Sequence, residues 1–347
     1  MHDHELPRKV PGTRFNLTYD SRESRMQFGK MKLFCGSASP ALGQEIVDNI
    51  NLHPYYSDLK LGQYERTMFS NENIFIKLNE SVRGRDVYLI QTMASPVHEN
   101  IMETFIMIDA LKRDSAWRIN LVMPYMSYTR SDKKDQPRVP ISARLMANLI
   151  ETAGADRYMT IDLHSGQIQG FFNIPGDALT AFYLLSDYVR QKNIPDLVVV
   201  ATDLGFAKQG RNWAAALNTP LAFVEKRRSD NAEHPEALAL IGDVKGKNVL
   251  LVDDEVNTAG SVVNAVQVVR QAGARDVYFA FTHAFLADQA IERFKQLDLK
   301  EIIFTNTLPL PSHKRLPNMT ILSVAPLLAE VILRAHEGRS VGELFKE

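Results

Sequence analysis

From Lys32 onward the chain alternates short apolar runs with stretches of helical periodicity, and that alternation admits few folds. A run such as residues 249–252, apolar at every position, has no polar face to turn toward water, so it belongs to a strand buried on both sides. Strands of that kind separated by amphipathic helices build a parallel sheet wrapped by helices, the α/β class. The spacing predicts strands over residues 32–35, 86–92, 118–125, 157–163, 197–202, 221–224, 248–252, 276–282, 301–305 and 319–324. It predicts helices over residues 98–113, 140–153, 178–191, 261–272, 288–297 and 326–336. Proline at position 140 suits a first helical turn.

The pattern echoes itself. Ala153, Gly154 and Ala155 lead into a strand that delivers Asp162 and His164, and Ala272, Gly273 and Ala274 lead into one that ends at His283. This predicts two copies of one α/β unit, and 347 residues are enough to fill two cores. The expected division is a polar, poorly ordered extension over residues 1–30, a first domain over 31–175 and a second over 176–347, the last residues able to pack back on the first.

Forty basic against 41 acidic residues argue against bulk nucleic-acid binding. The single cysteine, Cys35, excludes an intrachain disulfide and a cysteine-based zinc cluster. No apolar run approaches the ~18 residues of a membrane span, and residues 1–30 contain no signal-peptide core, so the cytoplasm is the expected location. No two of the 18 glycines are spaced i, i+2, which rules out Gly-x-Gly-x-x-Gly. Residues 242–248 miss the Walker A spacing, so a nucleotide site here is of another kind.

Residues 250–263 carry the most chemistry. A buried strand runs into paired carboxylates, Asp253 and Asp254; Thr258, Ala259, Gly260 and Ser261 then lead into an amphipathic helix. Backbone N–H groups and hydroxyls at a helix start suit a phosphate, and carboxylates beside them suit sugar hydroxyls. Two acids directly after a buried strand are costly unless they serve a ligand.

This stretch resembles the phosphoribosyl-pyrophosphate loop of the type I phosphoribosyltransferase superfamily. Residues 162–172 with Asn173, Ile174 and Pro175 resemble the DLHxxQIQGFFDIP signature of the ribose-phosphate pyrophosphokinase family. Further similarities fall at residues 36–40, 80–84, 128–134, 140–144 and 226–228, in the family's order. The resemblance implies two tandem phosphoribosyltransferase-like domains, each a mainly parallel sheet flanked by helices, with the active site between them. The first would bind ATP and the second ribose 5-phosphate.

By the same resemblance, Lys226 and Arg228 close over the polyphosphate as catalytic cations. Phe69 stacks on adenine, and Asn71, Asn73, Arg130, Ser131 and Asp132 complete the ATP site. Asp203, Asp253, Asp254, Asn257, Thr258, Ala259, Gly260 and Ser261 hold ribose 5-phosphate, and His164 with Asp203 holds Mg²⁺. The implied reaction passes the pyrophosphoryl group of Mg-ATP to the anomeric hydroxyl of ribose 5-phosphate. The family also implies a homo-oligomer, often a hexamer, inhibited by ADP and activated by phosphate, with neither nucleic acid nor membrane as partner.

Five positions, four differences in all, depart from the family pattern. Asn257 stands for a third acid, and Asn71 and Asn73 stand where acidic or amide residues read the base, the second commonly Glu. Ser131 replaces a glutamine, and Phe206 replaces a glycine where bulk would crowd a close backbone approach. They keep a second reading in view: a catalytically weak regulatory paralogue that assembles with an active synthetase. A third, a phosphoribosyltransferase that consumes the product, sits poorly with the signature and the two-domain length.

Overall fold

A computed structural model describes residues 29–202, 205–227 and 237–345; Asp203 and Arg228 lie outside them, as does nearly all of the 1–30 extension, and in Lys226 only the backbone is described. Two compact units share the chain: one takes residues up to Leu179 together with Ala325–Glu347, the other takes Thr180–Val324.

The first unit opens with β1 (Met31–Cys35) and α1 (Pro40–Asn51), followed by a hairpin of β2 (Tyr64–Met68) and β3 (Ile74–Leu78). Then come β4 (Asp86–Ile90), α2 (Val97–Arg113), β5 (Arg118–Val122), α3 (Ser142–Ala153), β6 (Arg157–Ile161) and β7 (Gly176–Leu179). The strands form one parallel sheet in the order β1-β4-β5-β6-β7. Every residue of β4 is buried, as a strand covered on both faces requires. Helix α3 buries Ala143, Met146, Ala147 and Ile150, one stripe at helical spacing, and ends at Gly154, whose φ of 116° only glycine adopts cheaply.

The second unit contains α4 (Phe182–Gln191), β8 (Leu197–Ala201), α5 (Ala207–Leu217), β9 (Leu221–Arg227) and β10 (Ala237–Ile241). It continues with β11 (Asn248–Val256), α6 (Gly260–Gln271), β12 (Val277–Ala284), α7 (Asp288–Gln296), β13 (Glu301–Thr305) and β14 (Met319–Leu322). Its seven strands run β10-β9-β8-β11-β12-β13-β14, parallel except for β10 against β9. The chain returns to the first unit as α8 (Ala325–Glu337), which packs on α1.

Both units are α/β with parallel sheets, as expected, but several local readings change; Pro140, for one, lies ahead of α3 and not in its first turn. Gly176–Leu179 is a strand beside β6, so α4 starts at Phe182 rather than at 178. Strand β6 stops at Ile161 and Asp162 takes a φ of 41°, so His164 stands three residues past the strand, whereas His283 lies inside β12. The echo of two histidine-ended strands is therefore not structural. Strand β9 runs on through Lys226 and Arg227, which pair with Leu238 and Ala237. Strand β11 runs to Val256, four residues beyond the expected end, and so carries Asp253 and Asp254 within it.

Candidate active site

In the second unit, β11 stays paired with β12 at Asp253, opposite Phe281. Thr202 Oγ1 donates to Asp253 Oδ2 at 2.9 Å, and the Asp254 N–H donates to Asp253 Oδ1 at 2.9 Å. Burial and the like charge of Asp254 still push the Asp253 carboxyl well above the usual carboxylate range. Two carboxylates at the carboxyl end of one strand suit a ligand that brings hydrogen-bond donors or positive charge. The strand also presents Glu255 opposite His283, a buried imidazole whose Nδ1 lies 2.9 Å from Thr307 Oγ1. Thr202, Glu255 and Thr307, unlike His283, carry no sequence signal of their own; alignment of neighbouring strand ends is what brings them to Asp253 and His283.

Past β11 the chain turns through Asn257 and Thr258 to Ala259, which adopts a left-handed φ of 60° immediately before α6. That residue is the helix N-cap, and being alanine it offers no side-chain acceptor. The first N–H groups of a helix have no intrahelical acceptor, so an alanine cap leaves them suited to an anion. Gly260 and Ser261 open the helix; Ser261 is exposed and Ala259 buried. The Asn257 carbonyl accepts the Ala287 N–H at 3.0 Å, a backbone role that an acid or an amide serves equally.

Phe206 caps α5 at a φ of −89°, so the backbone there does not require glycine, and any effect of the substitution is one of bulk. Lys226 sits on β9, with Arg228 and the rest of the following segment outside the described residues.

In the first unit Phe69 stands at the end of β2, half exposed, with its ring 6.1 Å from Phe75; it is not a core residue. The Phe69 N–H donates to the Asn73 carbonyl at 2.9 Å, and the Asn71 Oδ1 accepts the Asn73 N–H at 3.2 Å, which closes the hairpin turn around Glu72 at a φ of 65°. Beside the turn lies a hollow of about 770 Å³ lined by Asn73, Glu72, His98, Glu99 and Met102 among others. Buried Glu103 of α2 ties the hairpin down: it accepts Arg66 Nε at 3.1 Å, Tyr64 OH at 3.2 Å and the Ser37 N–H at 2.8 Å.

Arg130 and Ser131 are exposed beyond β5, after Tyr128, whose OH lies 2.7 Å from His98 Nε2. Asp132 is buried, and its carboxylate accepts Gln167 Nε2 at 2.7 Å, joining the 128–134 segment to the 162–172 segment. His164 is exposed just ahead of the turn Gly166–Phe171.

Among the described residues no three His, Cys, Asp or Glu side chains gather as a metal cage. One imidazole, with Asp203 outside the described residues, is a donor set that fits Mg²⁺ only where phosphate oxygens and waters supply most of the ligands. Nor, among the described residues, is any helix long and apolar enough to cross a membrane.

Residues 31–154 match the N-terminal domain of ribose phosphate pyrophosphokinase, and residues 228–346 match the phosphoribosyl synthetase-associated domain. The ribose-phosphate pyrophosphokinase of Caldanaerobacter subterraneus is 46% identical over 316 residues, 91% of this chain and 98% of that protein. That of Bacillus subtilis is 42% identical over 321 residues, 92% of this chain and 99% of the relative. Ribose-phosphate pyrophosphokinase 1, chloroplastic, of Arabidopsis thaliana is 43% identical over 348 residues, 99% of this chain and 83% of the relative. The crystal structure of phosphoribosylpyrophosphate synthetase from Mycobacterium smegmatis is similar at a TM-score of 0.83 and 42% identity, over 89% of this chain and 99% of that one. Matches of this depth across both sheets define a diphosphotransferase. The chain belongs to the ribose-phosphate pyrophosphokinase family.

Proposed function

We propose that this enzyme transfers the pyrophosphoryl group of Mg-ATP to the anomeric hydroxyl of ribose 5-phosphate, giving 5-phosphoribosyl 1-pyrophosphate and AMP. The observation that carries the reading is the junction of β11 and α6. There an acidic strand end, Asp253 and Asp254, runs into a helix start capped by a left-handed alanine. The carboxylates accept hydrogen bonds from ribose hydroxyls, helped by Asn257, and the backbone of Thr258, Ala259, Gly260 and Ser261 receives the 5-phosphate.

The anomeric oxygen bonds to the β-phosphorus while the bridge to the α-phosphorus breaks on the opposite side. AMP leaves with the bridging oxygen, and the hydroxyl proton passes to solvent. Positioning and charge neutralisation are the protein's contribution, with Lys226, Arg228 and Asp203 assigned to the phosphates and ribose. Phe69, Asn71, Asn73, Arg130 and Ser131 hold the nucleotide, and Asp132 serves that site by fixing Gln167. His164 and Asp203 would hold the Mg²⁺ that comes with the nucleotide, and the ion would supply neutralisation of phosphate charge. A homo-oligomer, a hexamer by family resemblance, and a cytoplasmic location complete the proposal.

The test is AMP release by the purified chain with Mg²⁺ and ATP. Release that depends on ribose 5-phosphate is expected. A folded sample that binds ribose 5-phosphate but forms no AMP overturns the enzyme reading in favour of the regulatory paralogue. In the same assay GTP reports base selectivity. An amide at Asn73 can donate to a keto oxygen, which a carboxylate cannot. Asn73→Glu is therefore expected to raise the ATP-to-GTP ratio of kcat/KM about tenfold, the effect of one selective polar contact. An unchanged ratio removes Asn73 from base recognition.

A further inference from the structure

The turn before α6 is braced from behind by a neighbouring segment. The Val256 carbonyl accepts the Leu286 N–H at 3.1 Å and the Asn257 carbonyl accepts the Ala287 N–H at 3.0 Å. The next carbonyl, that of Thr258, accepts Arg293 Nη1 at 2.5 Å. Three successive carbonyls are thus fastened to the chain between β12 and the middle of α7. Because N–H and C=O point in opposite directions in a trans peptide, the same bonds aim the N–H groups of Asn257, Thr258 and Ala259 the other way. Successive N–H groups so directed, continued into a helix start, form a concave anion cradle.

The brace is itself locked. Leu286 is fully buried at a left-handed φ of 42°, and its carbonyl accepts Lys314 Nζ at 3.0 Å, while Lys314 pairs with Asp288 at 2.8 Å. Arg293 differs from the two backbone donors because it brings charge. Its Nη1 would stand 3.7 Å from a Cβ built on Gly260, so the half-buried guanidinium sits directly behind the cradle.

We propose that Arg293 is a positioning residue of the phosphate loop, one that orients the Thr258–Ala259 peptide toward the 5-phosphate of ribose 5-phosphate and adds a positive charge behind it. This rests on the ribose 5-phosphate reading given above. The residue does not touch the substrate. Its effect reaches the phosphate through one peptide plane and through the field of a cation lying within a Debye length.

The test is calorimetric titration of ribose 5-phosphate and, separately, of Mg-ATP into the parent protein and the Arg293→Met, Arg293→Lys and Arg293→Gln variants, each checked for folding by circular dichroism. Arg293→Met is expected to weaken ribose 5-phosphate binding about tenfold with ATP affinity unchanged, the contribution of one charged hydrogen bond. Arg293→Lys, which keeps the charge and a donor, is expected to recover most of the loss. Should Arg293→Met lose its fold, Arg293→Gln carries the test with an expected loss of about fivefold, since the donor is kept and the charge is not. Parent-like ribose 5-phosphate affinity in the neutral variants overturns the role of Arg293, as does an equal loss of ATP affinity, which would mark a general structural defect. A parent protein that binds no ribose 5-phosphate overturns the site reading itself, and Arg293's role with it.

Discussion

Asp253→Asn is expected to lower kcat/KM about a hundredfold and, at the same time, to make the protein harder to unfold at neutral pH. The first effect follows from the loss of a charge-assisted acceptor for a ribose hydroxyl, about 1.5–3 kcal/mol. The second follows from electrostatics. The Asp253 carboxyl is raised well above its ordinary range by burial and by Asp254. A carboxyl raised in the folded state binds its proton more tightly there than in the unfolded chain. Stability therefore falls as pH climbs from the ordinary carboxylate value, about 3.9, toward the folded one. Asparagine has nearly the same shape, can keep the Asp254 N–H on its single oxygen while its amide donates to a rotated Thr202 hydroxyl, and carries no charge to penalise. The Tm difference between variant and parent is expected to be close to zero near pH 4 and to widen toward neutrality. It should reach a few degrees there, since about 1 kcal/mol moves Tm by roughly 2–4 °C at this size. Thermal melts across that pH range, with activity measured in parallel, check both halves. A difference that stays flat with pH would mean that Asp253 is ionised without penalty, and unchanged kcat/KM would remove it from the site. The carboxyl end of β11 thus gives up some stability for an acidic surface that a sugar hydroxyl can use.

Continuous apolar runs made the central strands legible, because a strand buried on both faces is apolar along nearly all of its length. Strand β8 is buried throughout, and the first five residues of β11 likewise. The same rule hid the rest of β11. Its polar half, Asp253 to Glu255, reads as a loop although the backbone remains paired with β12. Strands β2 and β3 escaped for the opposite reason: only Ile76 is buried, so there was no core-facing pattern to recognise. Two alternating stretches around an asparagine-bearing turn were the available signal, and Phe69 stood out only by resemblance. The second half of β7, Ala178 and Leu179, reads as part of α4 because two apolar residues run straight into a helical pattern. The Arg293 contact to the Thr258 carbonyl, 35 residues away, leaves no trace in composition or periodicity. Residue types at strand ends are readable, whereas the bonds that aim a peptide plane require coordinates.

Arg118→Met is expected to destabilise the first unit by about 3–5 kcal/mol, because it leaves a buried carboxylate without its cation. Asp86, fully buried at the start of β4, receives Arg118 Nε at 2.7 Å and Nη2 at 2.6 Å, with Asn120 Nδ2 at 2.8 Å and His336 Nδ1 at 2.7 Å. Burial alone would raise this acid, but the hydrogen bonds from His336 and Arg118 outweigh it and hold Asp86 below its ordinary range. For a carboxyl lowered in the folded state the linkage runs opposite to that of Asp253. Its contribution is complete above the unfolded value, about 3.9, and is lost as pH falls through the folded one. The gap in Tm between parent and Arg118→Met should accordingly be largest at neutral pH, on the order of 10 °C, and shrink in acid as Asp86 protonates. Helix α8 should feel the change most, since Arg118 Nη2 also donates to the Ala335 carbonyl at 3.2 Å and His336 shares the same carboxylate. Amide hydrogen exchange is therefore expected to speed up in α8 before it does in β5 or β6, a local opening rather than uniform loosening. A Tm within about 2 °C of the parent at pH 7, less than one kcal/mol of change at this size, would show that this cluster is not what fastens the returning helix to the first sheet.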